Sequence, residues 1–172
     1  PGLVVAAFDG RRRDRGRGPI LSLGARLQAD GQAMCAAIDV DTGGVAALRR
    51  GLAVAGEFGL WGFAQLSRGG KHDGGHIWLP GADLAPALLL LDIAKRVQAG
   101  AKLEGEAYPT EKFIRLPAMR HLHAPGGPTV YPVLLPSGEL LEGDPWAIVA
   151  RLRAEWRPNT PAQWGEDDRG LL

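Results

Sequence analysis

The sequence predicts an α+β fold in which one mixed, mostly antiparallel sheet is flanked by helices. Apolar runs typical of strands alternate along the 172 residues with segments whose apolar residues recur at three- and four-residue spacing, which is the helical pattern. The runs LWGFAQLS and HIWLP are separated by a glycine-rich stretch and indicate a hairpin. Strands and helices interspersed in this way pack as one sheet with helices against it.

Strands are predicted where apolar residues run between turn-forming residues. These runs occupy residues 3–8, 19–27, 33–40, 60–67 and 76–80, with further strands within 102–117 and 129–136.

Three helices are predicted from apolar spacing and from residues that favour helix ends. The first covers residues 45–58. The second, residues 83–100, has Asp83 as its N-terminal cap and Pro86 in its first turn. The third, residues 144–156, opens with the Asp-Pro pair that commonly begins a helix.

The length of the chain indicates one domain spanning residues 1–172. We expect its core at about 3–157 and a polar C-terminal tail at 158–172. The chain begins without an initiator Met, so we expect it to be a piece of a longer protein. Its formal net charge is +1, which gives no overall field to recruit nucleic acid. The basic run GRRRDRGRG, residues 10–18, is typical of a mobile, solvated loop.

Cysteine usage and hydropathy indicate a location. The single cysteine, Cys35, lies in an apolar run and is expected to be a small buried residue, so no disulfide is predicted. No signal peptide pattern is present, and LAPALLLLDIA is too short to span a bilayer. We therefore expect a cytoplasmic protein with no membrane partner.

Two carboxylates end the apolar run AMCAAIDVD. Because strand side chains alternate between faces, Asp39 and Asp41 are expected on the same side, roughly 7 Å apart. Like charges held this close need a cation or solvent. One interpretation is a divalent metal site of hard oxygen ligands, suited to Mg²⁺ or Mn²⁺. The other is a solvated turn in which Asp41 caps the following helix.

A second group of polar residues lies in LSRGGKHDGGHIW. It contains Ser67, Arg68, Lys71 and His76 among glycines, which would leave backbone N–H groups free to approach an anion. The stretch is not a P-loop, because the Gly-Lys-Ser/Thr element and its helix are missing. Taken alone, His76 is more typical of a hairpin residue packed against Trp78, and Lys71 is more typical of a solvated loop tip.

The order of these motifs resembles the archaeo-eukaryotic primase superfamily, and most closely the primase-polymerases of mobile elements and CRISPR-linked loci. AAIDVD matches the family's hydrophobic Asp-x-Asp motif. LSRGGKHDGGHIW matches its Ser/Gly-x-His hairpin motif, with Gly74 where the family often has Ser and with extra loop residues. EAYPTEKFIRLPAMRH matches a later acidic segment that runs into a basic residue before Leu-Pro. The resemblance covers about residues 3–157.

This resemblance implies an RRM-like catalytic core that joins nucleotides on a nucleic-acid template. Two-metal chemistry needs a few carboxylates that bridge two Mg²⁺ or Mn²⁺ ions about 3.5–4 Å apart. Asp39 and Asp41 would supply two of them. Glu106 is predicted as the third, with Glu111 as the alternative, since Glu111 falls in a predicted turn and a metal ligand needs a rigid base. Glu104 has the strand parity of Glu106 and would be a helper.

The resemblance also implies a pocket for the triphosphate. His76 would act there as a hydrogen-bond donor to phosphate, completed by basic and polar residues. The expected nucleotide-binding residues are Ser67, Arg68, Lys71, His76, Arg115 and His121, with Lys112 as a weaker candidate. The expected partners are NTPs or dNTPs and a single-stranded DNA template or primer-template. Because the chain has one cysteine and no accessory zinc domain, accessory domains of the same longer protein are expected to help hold the template.

Two other functions are consistent with parts of the sequence. His121 and His123 form a His-hydrophobic-His motif, which resembles that of replication-initiator endonucleases. Those enzymes need a catalytic Tyr on a helix, whereas Tyr108 and Tyr131 each precede a proline. A catalytically inactive nucleotide-binding or nucleic-acid-binding module is the other alternative. The presence of both aspartates and His76 argues against it.

Overall fold

The computed structural model describes residues 5–9, 21–69, 72–117 and 131–165 of the chain. The strands within these ranges are β1 (Val5–Asp9), β2 (Leu21–Arg26), β3 (Gln28–Ala29), β4 (Gln32–Val40), β5 (Phe63–Gly69), β6 (His72–Pro86), β7 (Gly105–Tyr108), β8 (Phe113–Arg115), β9 (Val133–Leu134) and β10 (Leu140–Leu141). The helices are α1 (Gly44–Glu57), α2 (Ala87–Gly100), α3 (Pro145–Glu155) and α4 (Pro161–Trp164).

The larger sheet has the order β10-β9-β5-β6-β4-β3, and β7 pairs with β4 beside β3. Its strands pair antiparallel. In chain order the central elements are β4, α1, β5, β6, α2 and β7, and the central strands lie in the order β5-β6-β4-β7. This is the β-α-β-β-α-β connectivity of ferredoxin-like folds, which RRM domains share. The predicted class, a mostly antiparallel sheet flanked by helices, is confirmed.

The two faces of this sheet pack against different elements because successive residues of a strand point to opposite sides. Ile38 and Val40 of β4 face one apolar cluster that contains the buried residues of α1 and α2. Ala37 faces a second cluster, which includes Ile114 of β8 and Ile148 of α3. Asp39 has the parity of Ala37 and therefore lies on the α3 side.

A second, three-stranded sheet has the order β1-β2-β8. The sequence predicted one sheet, and that part of the prediction is wrong. The chain bends at residues 109–112 after β7, and β8 then pairs with β2, with Ile114 opposite Ala25. Alternation of apolar residues predicts that a segment is a strand but not which strand it pairs with.

The predicted start of one helix is confirmed and that of another is wrong. Asp144 caps α3, since its Oδ2 accepts a hydrogen bond from the Ala147 backbone N–H at 3.0 Å. The predicted start of α2 at Asp83 is wrong, because β6 continues to Pro86, which pairs with Gln32 of β4. The helix begins only at Ala87.

The segment after residue 157 is part of the packed structure, so the predicted end of the core is wrong. Asn159 is fully buried, and its side chain bonds the backbone of Trp61 and of Pro80. Trp164 is also buried. The polar composition of this segment did not indicate burial. A buried asparagine is nevertheless stable here because it can satisfy several buried backbone groups.

Two smaller expectations concern Cys35 and membranes. Cys35 is a free thiol in β4, partly buried, and burial raises its pKa to about 12. In the ranges given above, no helix is long and apolar enough to cross a membrane.

Candidate functional site

A row of four polar residues crosses the centre of the larger sheet on the α3 side. Asp39 of β4 lies directly opposite His76 of β6 on one side and Glu106 of β7 on the other. Gln65 of β5 lies opposite His76 and extends the row. We call Glu106, Asp39, His76 and Gln65 the polar row. Directly opposed side chains on adjacent strands lie about 4.5–5.5 Å apart at Cβ, so the row brings neighbouring side chains together.

Two residues away from each member of the row, on the same face of the sheet, each strand carries a buried residue. These are Ala37, Trp78, Tyr108 and Phe63, which belong to the α3-side cluster. The polar row therefore lies where an apolar core ends, at the end of β4.

His76 and Asp39 contact each other within the row. His76 Nε2 lies 3.3 Å from Asp39 Oδ1, and the Asp39 side chain is 38% exposed whereas that of His76 is 10% exposed. The His76 ring meets Trp78 edge to face at 6.4 Å between centroids. His76 Nδ1 is buried and has no hydrogen-bond partner among the described residues. The histidine is thus held by its neighbours while one ring nitrogen stays unpaired.

Glu106 has both carboxylate oxygens engaged. Oε1 is paired with the ammonium of Lys112, and Oε2 accepts a hydrogen bond from the Tyr108 hydroxyl at 3.2 Å. The hydrogen bond from Lys112 is the main reason that the pKa of Glu106 is lowered. Glu106 is therefore held as an anion beside Asp39.

Asp41 lies one residue beyond β4 and is exposed. Its backbone N–H donates to the Glu104 carbonyl at 3.0 Å, which continues the pairing with the chain before β7. The N-cap of α1 is Gly43, with no side-chain cap bond, so Asp41 does not cap this helix. The alternative interpretation of Asp41 as a cap is wrong.

The phenol of Tyr108 lies within electrostatic range of all three carboxylates. Its pKa is raised first by burial, then by the charges of Glu106 and Asp39, and also by that of Asp41. Only Glu106 contacts this hydroxyl, whereas Asp39 and Asp41 act on it through their charge.

Arg115 of β8 brings a cation to the same region. Burial lowers the pKa of its guanidinium, and the nearby charge of Asp39 opposes this effect. Its Nε and Nη2 atoms are buried without a hydrogen-bond partner in the described part of the chain. These two atoms form one edge of the guanidinium, and such an edge binds two oxygens of a phosphate or carboxylate at once.

Two glycines let β6 and β7 approach the acidic end of β4. A Cβ on Gly74 would lie 1.8 Å from the Val40 carbonyl oxygen, and a Cβ on Gly105 would lie 1.8 Å from the Asp39 carbonyl oxygen. Gly105 also has a φ of +138°, which L side chains rarely adopt. The serine that the resembling family often has in place of Gly74 would not fit here without moving the strand.

The predicted glycine-rich loop is largely strand. Ser67 pairs with Gly74, and Gly69 pairs with His72, so the hairpin extends to residues 69 and 72. Backbone groups in this ladder bond each other, and the prediction that they are free for an anion is wrong for these residues. Ser67 has the parity of Gln65 and lies on the face of the polar row.

The other predicted site residues are placed as follows. Lys71 and His121 lie outside the described residues, as does the Arg68 side chain. Glu111 lies in the bend between β7 and β8, where its Oε1 accepts a hydrogen bond from Gln28 at 2.9 Å. The Glu104 carboxylate accepts a hydrogen bond from Thr42 at 3.0 Å.

Sequence reasoning missed two members of the site. Gln65 is fully buried, its Nε2 donates to the Tyr131 carbonyl at 3.3 Å, and its Oε1 has no partner in the described part of the chain. The signal was a polar residue inside the apolar run LWGFAQLS. The sequence indicates Tyr108 only as a possible nucleophile. Its hydrogen bond to Glu106 depends on strand geometry, which the sequence does not reveal.

The donor set fits a hard divalent cation. Three carboxylates supply the oxygen ligands that Mg²⁺ and Mn²⁺ prefer, and Asp39 and Asp41 are accessible to solvent. Within the described ranges, no three His, Cys, Asp or Glu side chains are arranged as a ready-made metal site. Glu106 would first have to release Lys112. The chain matches no model of a known protein family and no curated protein.

Proposed function

We propose that the chain is the catalytic domain of a DNA primase or polymerase of the archaeo-eukaryotic primase type, which joins NTPs or dNTPs on a template by two-metal-ion catalysis. The observation that carries the proposal is the polar row itself. Glu106 and Asp39 are directly opposed on neighbouring strands, and the charge of Asp39 acts on Arg115, whose Nε and Nη2 atoms have no hydrogen-bond partner among the described residues. Carboxylates for metal beside a receptor for an oxyanion are what a metal–triphosphate complex requires.

The acidic residues would hold the metal. Asp39, Asp41 and Glu106 are the proposed ligands of two Mg²⁺ or Mn²⁺ ions. When bound, such ions activate the attacking 3′ oxygen and stabilise the triphosphate and the leaving pyrophosphate. The strands on either side fix Asp39 and Glu106 in register, which gives both ligands a rigid base.

The cationic and polar residues would bind the triphosphate. Arg115 would contact two phosphate oxygens through Nε and Nη2, which have no partner in the part of the chain that the structure describes, and this would relieve the cost of its burial. His76, which contacts Asp39, would donate to a phosphate oxygen. Ser67 lies on the same face, and Arg68, Lys71 and His121 are assigned to the pocket through the family resemblance.

The proposed partners are a single-stranded DNA template or primer-template, with accessory domains of a longer protein helping to hold it. A cytoplasmic location is part of the same proposal.

The endonuclease alternative gains no support from the structure. Tyr108 lies in β7 and Tyr131 lies next to β9, so neither tyrosine is on a helix. His121 and His123 lie outside the described residues. An inactive binding module would have no need for two accessible acids together with Arg115, whose Nε and Nη2 atoms have no hydrogen-bond partner in the described ranges.

Incubation with a single-stranded template, with and without a primer, tests the proposal. Labelled NTPs or dNTPs are added with Mn²⁺ or Mg²⁺, and products are sized on a gel. We expect template-length products that require both metal and template. No product under any combination would contradict the proposal, and cleavage of a labelled template with covalent attachment to the protein would favour the endonuclease.

A further inference from the structure

Lys112 is the residue whose position the proposed chemistry does not yet explain. It lies in the bend between β7 and β8, and its ammonium pairs with Glu106 Oε1. The Tyr108 hydroxyl takes the other oxygen of the same carboxylate. Glu106 therefore carries a built-in cation at the place where a metal ion would bind.

A similar pairing of an acid with a nitrogen group is present at the next residue of the polar row. Asp39 contacts His76, as Glu106 contacts Lys112. Each acid thus has its own nitrogen partner, and each of these partners is of a kind that also binds phosphate. If metal ions took over the acids, both side chains would become available to the triphosphate.

The surroundings of Lys112 let its side chain move while its backbone stays in place. The Lys112 backbone N–H donates to Thr110 Oγ1 at 3.2 Å, and the neighbouring Glu111 is bonded to Gln28. By contrast, the Lys112 side chain is 64% exposed and that of Glu106 is 49% exposed. An exposed ion pair opens at little cost, and a lysine side chain can swing on its flexible stem.

We propose that Lys112 occupies Glu106 until a metal–nucleoside triphosphate complex arrives, and then leaves the carboxylate for a phosphate oxygen. This inference rests on the proposed function. It makes Lys112 a triphosphate-binding residue and makes the metal at Glu106 dependent on nucleotide. A free divalent ion must compete with the ammonium, whereas a metal–triphosphate complex brings a new partner for it.

Mn²⁺ binding to the purified chain, measured from the electron paramagnetic resonance signal of free Mn²⁺, tests the exchange without any reaction. The variants are Lys112→Met and the matched control Lys95→Met, which removes an exposed charge from α2 on the opposite face of the sheet. We expect Lys112→Met to tighten binding of Mn²⁺ alone by about threefold or more, and Lys95→Met to leave it unchanged.

Two further measurements separate partner exchange from a general effect of charge. In a Glu106→Gln background the effect of Lys112→Met should disappear, because the competition is for that carboxylate. Unreactive α,β-methylene ATP should strengthen Mn²⁺ binding more in the unaltered protein than in Lys112→Met.

The inference is overturned if Lys112→Met behaves as Lys95→Met does, or if its effect persists without the Glu106 carboxylate. Synthesis on a template, assayed on the same preparations, keeps the two proposals apart. Synthesis by the unaltered protein without tighter Mn²⁺ binding in Lys112→Met would leave the polymerase and remove the exchange. The Mn²⁺ effects without synthesis would leave the exchange and remove the polymerase.

Discussion

Glu106→Gln keeps the size of the side chain but removes its charge at the position directly opposite Asp39. The amide oxygen could still accept the hydrogen bond from Tyr108, but the amide nitrogen is a donor and would face the ammonium of Lys112. The site would lose one of three anionic ligands and would hold an uncompensated cation. We expect nucleotide incorporation to fall by at least about a hundredfold.

Glu111→Gln is the matched comparison, because it makes the same chemical change five residues after Glu106, at a position that does not lie opposite Asp39. Glu111 is exposed in the bend, and a glutamine oxygen could still accept the hydrogen bond from Gln28. Most of the incorporation should therefore remain.

Single-turnover extension of a labelled primer at saturating Mn²⁺ measures both variants, with circular dichroism as the check on folding. Both glutamates are exposed, so neither change should disturb the fold. If Glu111→Gln lost incorporation and Glu106→Gln kept it, Glu111 would be the metal ligand and the role given to β7 would be refuted.

Three other changes test separate parts of the structure. Asn159→Ala removes three side-chain hydrogen bonds, one buried and two partly buried, and should lower the free energy of unfolding by about 3 kcal/mol in urea titrations. A loss under about 1 kcal/mol would mean that the segment after residue 157 is peripheral. Gly74→Ala places a Cβ 1.8 Å from the Val40 carbonyl oxygen, so it should lower both the melting temperature and the rate of synthesis. Normal values for both would show that β6 lies farther from β4. Arg115→Lys keeps the charge but loses the paired donors, so the affinity for nucleotide should fall about tenfold. The affinity for template, measured by gel shift, should not change. Equal loss of both affinities would indicate a general nucleic-acid surface.

Local patterns in the sequence predicted the parts of the site that lie on single segments. Asp39 ends a strand because the apolar run before it fills the core, and Asp144 begins a helix because its side chain can cap the first turn. The structure places Glu106 opposite Asp39 and Glu111 in a bend, where the sequence predicted a turn, and the choice between them as metal ligand stays a prediction.

Features that depend on pairing between distant segments could not be predicted. The long β6 continues through residues that favour a helix start, because Pro86 at its end pairs with Gln32. The glycines around residue 74 suggested a loop, but there they allow strands to approach closely. Gln65 joins the site only because it lies opposite His76 of β6. That neighbour is set by strand register, which composition and periodicity do not fix.

If Asp39 and Asp41 bind the same metal ions, each should be indispensable and their effects should not add. Incorporation rates at saturating Mn²⁺ for Asp39→Ala, Asp41→Ala and the double variant measure this directly. We expect each single change to abolish template-directed synthesis, the double change to cost little more, and folding to survive in all three. Near-normal incorporation by either single variant would contradict the two-metal site.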